Sequence, residues 1–408
     1  MSWPLVPVKE LCELAVDCVN KTAPTVDYET EFKMIRTTNV KGGFINLDEV
    51  RYVTEEVFTK WTRRSRPRYG DVVLTREAPV GEVGRFTSND DKVFLGQRLF
   101  HYRPNPEKLD WNYLAYALQS PQVQGRLKGM GFGATVDHVR VGDAENLPIP
   151  CPPFTVQKTI GDTLSTYDDL IENNRRRIQL LEQAARLLYM EWFVHLRFPG
   201  HEHVKTKDGV PEGWSKVELG KLCNLRAGGT FKPKYQGQPE GDLPFIKVRD
   251  LSREGNTIAI TGADNWVTLD ECIDFRGKPF SPSTTVFAKI GEGLRQNRVR
   301  FIVRETLIDN NMMGATPDQR ATVGEYLYFF LRDHDIASYA GGAAIPFLSS
   351  KVLEGVRVLA PPMQSLLLFQ DEVAPMLQQV VNLEQQSASA AKARDLLLPR
   401  LMNGEITA

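Results

Sequence analysis

The chain has 408 residues, 42% of them hydrophobic and 25% charged. That is globular usage, which argues against a disordered chain; at roughly 150 residues per domain it suggests two or three domains. Lysine and arginine number 50 against 51 acidic residues, a formal charge of -1, so a uniformly basic nucleic-acid coat is excluded but a local basic face is not. Cys12, Cys18, Cys151, Cys223 and Cys272 are scattered with no C-x-x-C pair, which argues against a disulfide framework or zinc ribbon and for a reducing compartment. Residues Met1 to Leu5 lack a signal-peptide pattern. No run approaches ~18 apolar residues, and the expected location is cytoplasmic.

Taken in chain order, the elements repeat. Trp3, Val6, Leu11, Cys12 and Leu14 return 211 residues later as Trp214, Val217, Leu222, Cys223 and Leu225. Val53-Thr54 returns as Val267-Thr268 at 214, and Tyr113-Leu114 as Tyr326-Leu327 at 213. Gly133-Ala134, Pro152-Pro153 and Leu187-Leu188 return at 209 as Gly342-Ala343, Pro361-Pro362 and Leu396-Leu397. One ordered series with a slowly drifting offset marks a duplication with loop insertions, and its period is far too long for a solenoid.

Each half opens with a turn-rich mixed stretch. In the first, Phe44 to Leu47 and Gly70 to Thr75 read as short strands between turn residues, and Tyr113 to Leu118 as a short helix. Leu147 to Pro150 reads as an edge strand, where proline is tolerated. After Pro152-Pro153 a heptad seam begins: Leu164, Ile171, Ile178, Ala185 and Trp192, interleaved with Tyr167, Asn174, Leu181, Leu188 and His195. It stops at Phe198-Pro199-Gly200. The second copy runs through Phe369, Val373, Met376, Val380, Leu383, Ser387, Ala390, Leu397 and Leu401, and stops at Asn403-Gly404.

The expected fold class is therefore α+β. Two similar mixed α/β domains, 1–153 and 200–362, are separated by two long helices, 154–199 and 363–408. Connectivity favours pairing of the helices as an antiparallel coiled coil about a pseudo-twofold axis. A helix of ~40 residues spans ~60 Å, enough to hold two units apart as a ruler.

No catalytic constellation stands up. Cys151-Pro152-Pro153-Phe154 is similar to the Asn/Asp-Pro-Pro-aromatic motif of amino-methyltransferases, but its first residue is a poor hydrogen-bond acceptor and the second copy reads Ala360-Pro361-Pro362-Met363. A helix-entry turn is the better reading. Gly129 to Gly133 has no preceding buried strand for a nucleotide loop, and His195, His201 and His203 lack zinc spacing.

The basic residues say more. Lys60, Arg63, Arg64, Arg66 and Arg68 crowd beside Trp61 and Tyr69, with Arg76, Thr135 and His138 further along. In the second half Lys289, Arg295, Arg298, Arg300 and Arg304 gather in what reads as the corresponding region, joined by Lys232, Lys234, Lys247 and Arg249. Cations beside aromatics suit contact with phosphates and base edges; for any single residue a solvated surface is the plain alternative. Arg175-Arg176-Arg177 sits on the polar side of the seam and reads as a solvated face.

The whole arrangement resembles the specificity subunit of type I restriction–modification enzymes. The resemblance rests on Pro211-Glu212-Gly213-Trp214 followed by Leu219-Gly220-Lys221-Leu222-Cys223, on Leu147-Pro148-Ile149-Pro150-Cys151-Pro152-Pro153 with Gln157, on Gly133-Ala134-Thr135 and Gly342-Ala343-Ala344, and on Ala393 to Ile406. One departure is the second exit, Met363-Gln364-Ser365, where Gln370 is the candidate for the missing acidic-Gln pair. The resemblance implies a noncatalytic subunit that reads double-stranded DNA at a split, asymmetric site through two target-recognition domains. It implies two modification subunits docked on the helices, using S-adenosylmethionine, and two motor–nuclease subunits using ATP and magnesium. Any adenine flipping would be the partner's work. A spacing of ~50–60 Å corresponds to ~15 base pairs. The alternatives are a DNA adenine methyltransferase acting through Cys151-Pro152-Pro153-Phe154, and a DNA-binding scaffold without a nuclease.

Overall fold

The computed structural model describes residues 3–19, 21–130, 138–342 and 346–406. The chain divides into two compact units, Met1–Leu170 with Ala390–Ala408, and Ile171–Ser389.

The first unit is built on a four-stranded antiparallel sheet in the order Cys12–Asp17, Leu99–Pro104, Val72–Thr75, Val83–Arg85. Val72 and Leu74 point to one face and Val73 to the other, as the period of two requires. The first face packs on the helix Trp111–Gln119 through Tyr113, Leu114 and Leu118. The other packs on a three-stranded sheet through Ile35, Val93 and Leu95. Burial on both faces explains why Val72 to Thr75 reads as a continuous run rather than an alternating one. Leu5–Pro7 and Pro148–Pro150 form a separate antiparallel pair, so the prolines fall at an edge.

The second unit repeats the plan with one strand more. Its sheet runs Cys223–Ala227, Met312–Pro317, Thr285–Ala288, Val299–Ile302, Ala259–Ile260, and the helix Gly324–Asp333 lies against it. Register fixes the correspondence: Tyr102 lies opposite Val72 and Ala315 opposite Thr285, so both strands repeat 213 residues on. The edge pair is Ser215–Glu218 with Arg357–Ala360.

Two long helices follow the proline pairs, Phe154–Tyr189 and Met363–Met402, beginning 209 residues apart. They pair antiparallel inside each unit. In the first, Ile160 and Leu164 share a core with Leu401 and Met402, and Asp168 meets Arg394 at 2.6 Å. In the second, Asn174 donates to Gln386 (3.0 Å) and Ser387 (3.2 Å), while the Trp192 ring lies 5.9 Å from that of Phe369. Of the expected seam, Leu164, Ile178, Val373, Val380, Leu383 and Leu401 are buried. Ile171, Leu181, Leu188 and Leu397 are half-buried.

The seam departs from strict heptads in one place: Asp168 is buried and its neighbour Tyr167 is not. A straight helix of 3.6 residues per turn drifts against a seven-residue pattern, and the buried stripe drifts with it. The first helix also ends before Pro199. It widens into a π turn over Met190–Val194, and Leu196 takes a left-handed φ of 61°, which the helix cannot continue through. His195 therefore leaves the seam and meets Glu191 at 2.8 Å.

The Cys-Pro-Pro-Phe stretch is a helix entry. Gln157, 1% exposed, accepts from the Asp110 N–H (3.0 Å) and donates to the carbonyls of Pro152 (3.0 Å) and Lys108 (3.2 Å). In the second copy Gln370 does not take this part; it donates to Glu325 at 2.7 Å. The position of Gln157 is held by Leu366, fully buried.

Candidate nucleic-acid interface

In the first unit the basic loop follows a short helix, Glu55–Trp61, whose N-cap is Thr54. The loop is tied to the sheet by Asp71, which is 1% exposed. Asp71 accepts from Arg103 Nε (2.9 Å) and Nη2 (2.7 Å), from the Arg68 N–H (2.9 Å), and meets His101 Nε2 at 2.7 Å. His101 Nδ1 lies 2.9 Å from Ser65 Oγ, and Arg103 also donates to the Arg66 carbonyl at 2.8 Å. Burial acts to raise the Asp71 carboxyl, but the hydrogen bonds from His101 and Arg103 outweigh it and hold the group below the ordinary carboxylate range. The loop from Ser65 to Arg68 is thus preset by a charged brace before anything binds.

The candidate cations differ in how free they are. Arg64 is paired with Asp17, and Arg68 with Glu13 at 3.0 Å. Lys60 lies over the Trp61 ring and Arg66 over Phe58. Arg63 is exposed. In the second unit Lys234 is paired with Asp274 (3.3 Å), Arg249 with Asp264 (3.1 Å) and Arg295 with Glu292 (3.6 Å). Lys232 is exposed, Lys247 donates to Gln236, Lys289 lies over Phe347, and Arg298 is half-buried. His138 is half-buried beside Glu77, and Thr135 lies outside the described residues.

Two candidates belong to the fold instead. Arg76 is 7% exposed, and its Nε has no hydrogen-bond partner among the described residues. Arg300 donates to the carbonyls of Asn256 and Val299, and burial lowers its pKa. A guanidinium spent on carbonyls beneath the surface is not available to a phosphate.

The second correction concerns correspondence. The loop from Thr62 to Asp71 repeats 213 residues on as Phe275 to Thr284, since the helices before it and the strands after it share that offset. The equivalents of Arg63, Arg64 and Ser65 are therefore Arg276, Gly277 and Lys278, and the Lys289–Arg304 group lies elsewhere in the fold. Arg276 and Lys278 were not among the expected residues, although Val53-Thr54 and Tyr113 carry the offsets that locate them. Neither has a carboxylate partner among the described residues, whereas many of the expected cations do.

Two α/β units, each with a cationic loop over a sheet and each closed by paired helices, define a duplicated nucleic-acid reader with no catalytic centre of its own. The family described as type I restriction modification DNA specificity domain matches residues 2–183 and again 211–392. The chain belongs to that family. It is 25% identical to the type I restriction enzyme MjaIX specificity subunit of Methanocaldococcus jannaschii, over 87% of this chain and 82% of that protein. It is 21% identical to the HindI specificity subunit of Haemophilus influenzae, over 83% of this chain and 86% of that protein. In fold it matches the S subunit of a type I restriction–modification system from M. genitalium, with a TM-score of 0.64 over 98% of this chain and 96% of that one, at 17% identity. The resemblance read from the sequence and the family shown by comparison agree. The chain is thereby a noncatalytic DNA-specificity component that works with other restriction–modification subunits and DNA. Among the described residues, no helix is long and apolar enough to cross a membrane.

Proposed function

We propose that each unit reads one half of a bipartite, asymmetric DNA site, and that the long helices carry two modification subunits. The observation that carries this reading is the double family match, one copy beginning in each unit's own sheet. The exposed cations Lys60, Arg63, Arg66 and Lys232, with Lys247, Lys289 and Arg298, are the candidates for DNA contact; phosphates take most such contacts and base edges fewer. Arg64, Arg68, Lys234, Arg249 and Arg295 join them if DNA displaces their carboxylates. The first target-recognition domain is taken as 1–153 and the second as 200–362.

The helices support partner docking because they leave apolar side chains uncovered. Leu180 and Leu187, one heptad apart on one face, are 65% and 64% exposed. S-adenosylmethionine, ATP and magnesium would be held by the partner subunits, two of them motor–nucleases, in the cytoplasm. The test is single-molecule methylation mapping of DNA from cells with and without this chain. A split methylated motif that vanishes with the chain, and changes in one half when residues 1–155 are exchanged for those of a relative, supports the reading. Both halves changing together counts against it.

A further inference from the structure

The second unit holds a cavity of about 250 Å³ between the Gly228-Gly229 turn and Gly277. Its counterpart in the first unit is filled from within. There the Cys18 N–H bonds the Leu99 carbonyl at 3.1 Å, as the Gly228 N–H bonds that of Met312 at 3.1 Å, so Cys18 and Gly228 are equivalent and Asp17 matches Ala227. Arg64, the equivalent of Gly277, lays its guanidinium on the Asp17 carboxylate and on the Cys18 carbonyl at 3.2 Å. The second unit removes both side chains of that ion pair. What remains is space.

Neither glycine can take a side chain in place. A Cβ on Gly228 would lie 2.2 Å from the carbonyl oxygens of Ile308 and Asp309, and one on Gly277 2.7 Å from Cys272 Sγ. The space is thus a fixed part of the fold. Its charged lining is Arg226, Arg276 and Lys278, with no carboxylate; Phe245, Phe275 and Leu307 form an apolar wall. Arg226 is held over the Phe280 ring at 3.7 Å and donates to the carbonyls of Lys278 and Pro279, both at 3.1 Å, which fixes the loop bearing Lys278. The 340 Å³ cleft of the first unit, by contrast, includes Glu13 and Asp110 among its walls. Three cations converging on an uncompensated space select an anion, and the apolar wall suits the sugar attached to it.

We propose that this cavity is a phosphodiester subsite that seats one backbone phosphate of the DNA read by the second unit, held by Arg276 and Lys278. The proposal rests on the DNA-reading function given above. It makes the two units unequal: the first fills this place with its own Arg64 and Asp17, and the second fills it with DNA.

The test uses the chain assembled with its modification subunits and a duplex bearing the motif found by methylation mapping. Arg276→Gln/Lys278→Gln changes exposed side chains only, and an unaltered melting temperature verifies the fold. At ~150 mM salt the variant should bind ~10-fold more weakly, with the log–log salt slope reduced by about one. Duplexes carrying a single neutral methylphosphonate are then scanned. One position in the second half-site should cost the wild type ~10-fold and the variant less than ~2-fold, because the contact is already gone. Arg175→Gln/Arg176→Gln, on the helix face, should change neither. If the variant keeps the wild-type slope, or weakens equally on every modified duplex, the subsite is overturned while DNA recognition stands. If the wild-type complex binds no duplex at all, the functional reading falls as well.

Discussion

Arg85, Tyr116 and Asp168 in the first unit stand where the second has Phe301, Phe329 and Leu377. Strand register equates Arg85, opposite Val72, with Phe301, opposite Thr285; the other two positions repeat at 213 and 209. In the first unit the Asp168 carboxylate accepts from Arg85 at 2.6 Å, from the Tyr116 hydroxyl, and from Arg394 at 2.6 Å. In the second the three counterparts are apolar and buried, and Ala185, fully buried, takes the place of Arg394. The pattern recurs. Asp71 with Arg103 becomes Thr284 with Thr316, joined by one hydroxyl contact of 3.0 Å. Gln157 becomes Leu366, and Asp110, which caps its helix through the Tyr113 N–H at 2.8 Å, becomes Val323. One topology is locked by charge in one copy and by shape in the other. Charge adds little net stability, but it penalises misdocking, because a shifted helix would bury a carboxylate and two guanidiniums without partners. The first unit needs that discrimination more, since its closing segment comes from Ala390–Ala408, across the whole of the other unit.

The comparison can be broken at its charged side first. Asp168→Ala should cost the first unit ~3–5 kcal/mol by stranding Arg85 and Arg394. Hydrogen exchange should show faster amides in 72–118 and unchanged ones in 257–340; equal loss in both stretches would refute a local lock. Leu377→Ala, at the equivalent place, should cost the second unit ~2–4 kcal/mol through a cavity, read from the same experiment with the two stretches reversed.

The second unit keeps one buried carboxyl, Glu384, 3% exposed, whose Oε1 accepts from the Thr257 N–H at 3.0 Å and from its hydroxyl. Burial pushes this group up to about 7 against those bonds and the attraction of Arg300, with Glu182 adding to the rise. The unfolded chain titrates near 4.5. Between the two values the folded chain binds the extra proton, so the group's contribution is whole below 4.5 and lost as pH rises through about 7. Glu384→Gln, which cannot ionise, should therefore be more stable than wild type by ~1–2 kcal/mol at pH 8 and about equal to it at pH 4. Urea midpoints across that range would show it, and a constant difference would remove the titration. The smallest effect sharpens the comparison most. Arg85→Phe/Tyr116→Phe/Asp168→Leu/Arg394→Ala imports the second unit's lock into the first and should fall within ~1 kcal/mol of wild type in a urea melt. A loss as large as that of Asp168→Ala would show that the charges themselves hold the unit together.

The duplication was legible because Trp3, Cys12, Tyr113 and Pro152 keep their order and near-constant spacing, and the long helices because apolar side chains recur over many turns. The polar seam was hidden. Asp168 is 83 residues from Arg85 and 226 from Arg394, and no local pattern announces a carboxylate whose partners lie so far off. Strict sevens placed Tyr167 in the seam because they ignore the drift of a 3.6-residue turn. The basic surface was misread for another reason. Counting cations ranked Lys289 to Arg304 above Arg276 and Lys278, yet what frees a cation is the lack of a nearby carboxylate, which composition does not reveal. The empty place beside Gly277 left no signal beyond two glycines.

The division of the chain also sets an order of manufacture. A ribosome completes Ile171–Ser389 as one unbroken stretch, but Met1–Leu170 must wait for residues beyond 389 before its last helix can arrive. At ~5–20 residues per second that delay is roughly 10–45 s. Until then Leu164 and Asp168 face water, and Leu401, whose carbonyl takes the Trp3 indole N–H at 3.1 Å, has yet to emerge. The half made first is thus the half finished last.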